Sequence, residues 1–156
     1  MVQVIWGCQS MVDHVVPHRP EWKHAFLCEA HAIQSGLSGT EIELHHIGST
    51  SIEGILAKPI IDILGAVSDL KEIDSKSGAF EGLGYEVMGA FGIAGRRYFR
   101  KVDGLGKRTH HLHIFQTGSA HIERHLAFRD YLVEHPGKAA EYSALKAKLT
   151  SSRNAT

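Results

Sequence analysis

The residues best suited to chemistry lie in one stretch, HIGSTSIEGILAKPIIDI, which runs from His46 to Ile63. Asp62 is the one acid within the apolar run PIIDILGAV. Such a run predicts a strand buried on both faces, where an ionised carboxylate is costly unless another group compensates its charge. An acid kept in that position is typical of a functional site, where it could bind a divalent metal or orient a nucleophile.

The turn before this strand carries groups that bind phosphate. Gly48, Ser49, Thr50 and Ser51 supply backbone N–H groups and hydroxyls, and Lys58 follows at the start of the apolar run. Groups of this kind could hold the phosphate of a nucleotide or of another small molecule. The alternative is a Ser/Thr-rich helix cap after a strand. The spacing is not that of a GxxxxGK[ST] loop.

A histidine-rich segment, THHLHIF, supplies a third group of candidates. On a strand, His111 and His113 project from one face and His110 from the other. Two imidazoles on one face could bind one metal or act as acid and base groups. Asp62, His111 and His113 are therefore the predicted catalytic and metal-binding set, with simple sheet packing as the alternative.

Basic residues precede these histidines on a predicted β-hairpin. They are Arg96, Arg97, Arg100, Lys101, Lys107 and Arg108. A long β-ribbon could carry them towards an anion, and Arg97 is predicted to bind phosphate; the alternative is solvated charge on an edge strand. Arg129, on a predicted helix further along the chain, could instead form a buried structural pair with Asp62.

Hydrophobic spacing predicts the elements that position these groups. A helix begins at Pro20 and ends near residues 36–39, and strands follow over EIELHHI and PIIDILGAV. Asp69 then caps a single helix that ends at Gly82 and Gly84. This half of the chain thus reads as helix, strand, strand and helix.

The second half begins with three strand patterns, YEVMG, RRYFRKV and THHLHIF. The polar segment DGLGKR should join the last two as an antiparallel hairpin. Two helices follow, separated at Pro136. The order of elements predicts an α+β (mixed α/β) fold with a mixed sheet of about five strands and helices packed on it.

Composition excludes several classes of protein. The 156 residues suit one domain, predicted over 13–150, with an N-terminal extension at 1–12 and a frayed tail at 151–156. Seventeen basic residues balance seventeen acidic ones, which disfavours a nucleic-acid partner. Neither a membrane span nor a signal peptide is present, so a cytoplasmic location and no membrane partner are expected. Cys8 and Cys28 lack metal-site spacing and are expected to be reduced.

Five motifs resemble those of the GrpB-like family, in matching order. They are PEWKHAF, HIGSTSIEGILAKPIIDI, RTHHLHIF, ERHLAFRDYLVEHP and AAEYSALK. The resemblance implies the fold of the nucleotidyltransferase superfamily, the polymerase-β-like architecture, in which a Gly-Ser turn precedes a strand with metal-binding acids. Leu64 stands where that superfamily has a second acid, and His45 and Arg19 stand where the family tends to have acidic residues.

Two functions remain open at this stage. One is a nucleotidyltransferase-like transferase, or a degenerate form of one, that binds a nucleotide or other phosphorylated small molecule with one divalent metal at Asp62. The other is a non-catalytic binding or folding-helper module with a protein partner. The family supports the second, since a related domain is fused to dephospho-coenzyme A kinase in some bacteria.

Overall fold

The computed structural model describes residues 14–155, with side chains over 14–149. Its strands are β1 (Glu43–Ile47), β2 (Ile61–Val67), β3 (Tyr85–Val87), β4 (Arg97–Val102) and β5 (Arg108–Gln116). Its helices are α1 (Glu21–Gly36), α2 (Leu70–Asp74), α3 (Ser77–Gly82), α4 (Ala120–Glu134) and α5 (Pro136–Ala155), with a 3₁₀ turn at Ser49–Ser51. The N-terminal extension and Cys8 lie outside the described residues.

The strands form one mixed sheet in the order β1-β2-β5-β4-β3. The central pair, β2 and β5, is parallel, and the other neighbours are antiparallel. The predicted α+β class with a five-stranded mixed sheet is therefore confirmed, as is the β4–β5 hairpin. The register places Asp62 between Ile47 of β1 and His111 of β5, so these three residues share one face.

Both faces of the sheet are covered. On one face, Ile63 of β2 and Leu112 of β5 belong to a large apolar core that also contains buried side chains of α1, α2 and α3. On the other, Leu64 and Phe115 pack against Ile122 and other apolar residues of α4. Strand β2 is thus buried on both faces, as its apolar run predicts.

The segment after β2 differs from the prediction of a single helix. The cap is as expected, since the backbone N–H of Lys71 donates to Oδ1 of Asp69 at 2.9 Å. However, the Ser75 and Ser77 hydroxyls donate to backbone carbonyls three residues earlier, at 2.7 and 3.3 Å. Serine side chains that bond to the backbone in this way compete with helix propagation. The chain therefore forms two short helices, α2 and α3.

The two C-terminal helices meet at Pro136, as predicted. The first turn of α5 packs its Ala139 with Leu132 of α4 and with Ile52 and Ile55 of the segment that precedes β2. This packing fixes α5 beside the start of β2. Helix α5 extends to Ala155, and no helix within residues 14–155 is long and apolar enough to cross a membrane.

Candidate functional site

A cleft of about 210 Å³ opens where β1 ends and β2 begins. The residues that line it are Gly48, Ser49, Thr50, Lys58, Ile60, Asp62, His111, Tyr142 and Lys146. Six of these are among the predicted site residues. The cleft also contains Tyr142 and Lys146 of α5, which the sequence did not single out as site residues.

The turn at the floor of the cleft depends on a glycine. Gly48 has φ +73° and ψ −175°, a conformation that costs other residues strain energy. A Cβ atom at Gly48 would lie 2.6 Å from Oδ2 of Asp62, so the turn and the carboxylate are in direct contact. The Ser51 hydroxyl donates to the Gly48 carbonyl at 2.5 Å, and Ser51 is not among the lining residues.

His46 of β1 contacts the turn and stabilises it. Its Nε2 lies 2.9 Å from the Thr50 hydroxyl, and its ring stacks on Phe26 of α1 with the centroids 5.0 Å apart. Burial lowers the pKa of His46 to about 4, so the imidazole is neutral at pH 7. Thr50 is therefore anchored to an uncharged ring.

Asp62 is surrounded by imidazoles on its own face of the sheet. Its Oδ1 lies 3.3 Å from Nδ1 of His111 and 3.8 Å from Nε2 of His113, and its side chain is 30% exposed. Burial raises the pKa of Asp62, but the two imidazoles outweigh burial and hold this pKa below its usual value. The carboxylate is thus ionised at neutral pH.

Geometry assigns a tautomer to each of these imidazoles. Nη1 of Arg96 lies 3.3 Å from Nδ1 of His113, and because a guanidinium cannot accept a hydrogen bond, this Nδ1 carries the lone pair. The proton of neutral His113 is then on Nε2, facing Asp62. His111 donates its Nδ1–H to Asp62, which leaves the lone pair on Nε2, a buried atom without a hydrogen-bond partner among the described residues.

This arrangement does not fit the predicted three-ligand metal centre. Both nitrogens that face Asp62, on His111 and His113, are assigned as N–H donors, whereas a metal requires a lone pair at each ligand atom. Within residues 14–155, no group of three or more His, Cys, Asp or Glu side chains has a geometry that could hold a metal ion.

Two lysines, Lys58 and Lys146, line the same cleft as Asp62. Nζ of Lys146 donates to the Ser49 hydroxyl at 2.6 Å. Burial lowers the pKa of Lys146; the neighbouring Lys58 also lowers it, while Asp62 opposes both effects. Tyr142 and Lys146 are four residues apart in AAEYSALK, a spacing that puts both on one face of a helix. This spacing is the sequence signal by which Lys146 could have been placed on the same helix face as Tyr142.

Two arginines considered for the site have partners outside the cleft. The Arg97 guanidinium donates to both oxygens of Asp74, at 2.6 and 3.1 Å, and Arg97 does not line the cleft. The Arg129 guanidinium donates to Asp130 at 2.9 Å and to the His46 carbonyl at 3.1 Å. The alternative of a structural Asp62–Arg129 pair is therefore not formed, because the neighbouring acid and a strand carbonyl bind the guanidinium instead.

Comparison with known proteins gives the family. The chain matches the family model described as GrpB protein over residues 13–156. The UPF0157 protein YqkA of Bacillus subtilis is 42% identical over 96% of this chain and 46% of its own length. The UPF0157 protein PA4798 of Pseudomonas aeruginosa is 37% identical over 85% and 54%, respectively. The chain thus spans about half the length of these two relatives.

Comparison with solved structures gives the fold. The crystal structure of conserved protein GrpB from Enterococcus faecalis has a TM-score of 0.85 at 43% identity, covering 92% of this chain and 86% of that one. The poly(U) polymerase Cid1 with MgGTP bound has a TM-score of 0.51 at 14% identity, covering 83% and 42%. The family match and the shared architecture show that this chain belongs to the GrpB family and has a nucleotidyltransferase-type fold.

Proposed function

We propose that the cleft binds the phosphate of a nucleotide or of another phosphorylated small molecule. The observation that carries this proposal is that Lys146, from a distant part of the chain, donates to Ser49 in a cleft that Lys58 also lines. Two ammonium groups at one cleft, facing one carboxylate, favour an anionic ligand.

The environment of Lys146 supports an anion more specifically. Its ammonium group is half-buried, and burial and Lys58 lower its pKa while Asp62 opposes both effects, so burial carries a cost for the charged form. A phosphate oxygen beside Lys146 and Ser49 would compensate this cost with charge-assisted hydrogen bonds. Backbone N–H groups of the Gly48–Thr50 turn would add neutral hydrogen bonds to the same oxygens.

Asp62 and His111 are the proposed reactive pair. His111 donates its Nδ1–H to Asp62, which orients the ring and leaves the lone pair on Nε2. Because Nε2 is buried, a hydroxyl or amine donor on the ligand would reach this lone pair only after the ring moves. In this scheme Asp62 acts through His111 and does not touch phosphate. The Cid1 structure with MgGTP makes nucleoside triphosphates the first ligands to test.

The proposal is tested by calorimetric titration of the purified chain with ATP, GTP and UTP, and with the corresponding nucleosides as controls. Binding of the phosphorylated compounds is expected, with much weaker binding of the nucleosides. Lys146→Met should weaken binding by about 10-fold to 100-fold, the loss expected for a hydrogen bond to a charged group. Lys148→Met, at an exposed position of the same helix, is the matched control and should leave the affinity unchanged.

Two results would contradict the proposal. One is the absence of binding by every phosphorylated compound, which would favour the non-catalytic helper module. The other is an equal affinity for nucleotide and nucleoside, since the phosphate would then contribute nothing to recognition.

A further inference from the structure

We propose that Arg96 and His113 occupy the role of a divalent cation beside Asp62, so that the cleft binds its phosphorylated ligand without a metal ion bridging ligand and carboxylate. The part concerning the ligand rests on the proposed function. The part concerning Asp62 can be tested on the protein alone.

Arg96 is held too firmly to be a mobile surface charge. Its side chain is buried, with only 8% of the residue exposed, at the position directly before β4. The guanidinium donates to the Ala90 carbonyl at 3.2 Å and to the Phe91 carbonyl at 2.9 Å, and it lies 4.8 Å from the centroid of the Tyr98 ring. These three contacts therefore orient the remaining guanidinium nitrogen, Nη1.

That remaining group, Nη1–H, determines the state of His113. It donates to Nδ1 at 3.3 Å, and the proton of the neutral ring then lies on Nε2, 3.8 Å from Oδ1 of Asp62. If His113 bound a metal through Nε2, its proton would move to Nδ1 and two donors would face each other. The contact with Arg96 thus opposes metal binding by His113.

A second acidic ligand is absent as well, because Leu64 occupies the position where the superfamily has one. Leu64 is completely buried and packs with Ile47 and Phe115 in the small core beneath α4. Asp62 is therefore left with imidazole N–H groups instead of a partner carboxylate. Positive charge for the ligand comes from Lys58 and Lys146, at the other side of the same cleft.

The first test uses the wild-type chain and no ligand. Long-range ¹H–¹⁵N NMR spectra distinguish the protonated and unprotonated nitrogens of each imidazole. We expect His113 to carry its proton on Nε2 at neutral pH. A proton on Nδ1 of His113 would overturn the proposal, whatever the ligand of the cleft is.

The second test adds a variant with a matched control. Arg96→Met removes the donor to Nδ1 and should give His113 a mixture of tautomers, while Arg97→Met, whose guanidinium contacts Asp74, should leave the His113 signals unchanged. Zn²⁺ titration should show at least about tenfold tighter binding by Arg96→Met than by the wild type. Because Arg96→Met loses two loop contacts and could fail to fold, the wild-type spectrum remains the deciding measurement.

The third test separates this proposal from the proposed function. If nucleotide binds, its affinity should be the same in EDTA and in Mg²⁺ or Mn²⁺. Stoichiometric Zn²⁺ or Mn²⁺ binding by the wild type that His113→Gln abolishes would overturn the metal-free arrangement. A chain that binds no nucleotide but shows the expected His113 tautomer and no stoichiometric metal would refute the proposed function alone.

Discussion

Substitution of Gly48 by alanine is the sharpest test of the contact between the turn and the carboxylate. The backbone at Gly48 has φ +73° and ψ −175°, and a residue with a side chain in this region is strained by about 1–3 kcal/mol. The new Cβ would also lie 2.6 Å from Oδ2 and 3.2 Å from Cγ of Asp62. Pushing the carboxylate off its rotamer adds about 0.5–1.5 kcal/mol. We expect Gly48→Ala to lower the free energy of unfolding by about 1.5–4.5 kcal/mol.

The control is Gly54→Ala. Gly54 also has a positive φ, +83°, but an added Cβ there meets nothing within 4 Å. This variant should show backbone strain without a steric contact, a loss of about 1–3 kcal/mol. Urea unfolding, followed by circular dichroism, gives both free energies.

A double-mutant cycle isolates the contact itself. In an Asp62→Ala background, Oδ2 and Cγ are absent, so Gly48→Ala should cost about 0.5–1.5 kcal/mol less than in the wild type. Equal costs in the two backgrounds would refute the reasoning that Asp62 lies against the turn. A Gly48→Ala variant as stable as the wild type would refute the assigned backbone conformation.

Three further results are expected. Unfolded chains bind a proton at a histidine from about pH 6.5 downward, whereas folded His46 does so only near pH 4. His46 should therefore account for about 3 kcal/mol of the stability lost on acidification across this range, and His46→Phe should remove that part of the loss. Ser143→Ala should cost about 1–3 kcal/mol, because the Leu56 N–H loses its acceptor at 2.8 Å. Arg97→Ala should cost at most about 1 kcal/mol and leave nucleotide affinity unchanged, since its ion pair with Asp74 is partly exposed and outside the cleft.

Urea titrations between pH 7 and pH 4 measure the first of these effects, and the same method at pH 7 measures the other two. A wild-type chain and a His46→Phe variant with parallel pH profiles would contradict the neutral, buried state of His46. Loss of nucleotide binding in Arg97→Ala would show that Arg97 contributes to the site despite its contact with Asp74.

Much of the site could be predicted because it is local in sequence. Gly48 directly follows β1 and Asp62 lies near the start of β2, and these two strands are antiparallel neighbours joined by one connection. His111 was placed correctly because alternation along a strand fixes the face of each residue. The sequence places Leu64 where the superfamily has a second acid, and the complete burial of Leu64 is consistent with an apolar residue at this position.

The contacts of the long basic side chains could not be predicted in the same way. Alternation predicts the face of Arg97 but not that Asp74 of α2 lies within its reach. Arg129 has a neighbouring acid and a strand carbonyl as partners, and only packing decides between them and Asp62. Lys146 reaches Ser49 across 97 residues of sequence because α5 packs beside the start of β2.

The sequence by itself determined the family, the order of the strands, the faces of the strands and the acid that lines the candidate cleft. These properties follow from hydrophobic spacing and from motifs that are contiguous along the chain. Only the tertiary structure decided that two lysines share the cleft and that Arg96 assigns the tautomer of His113. The physical reason is that a hydrogen bond depends on the position of both partners to within a few tenths of an ångström, and periodicity specifies only one of them.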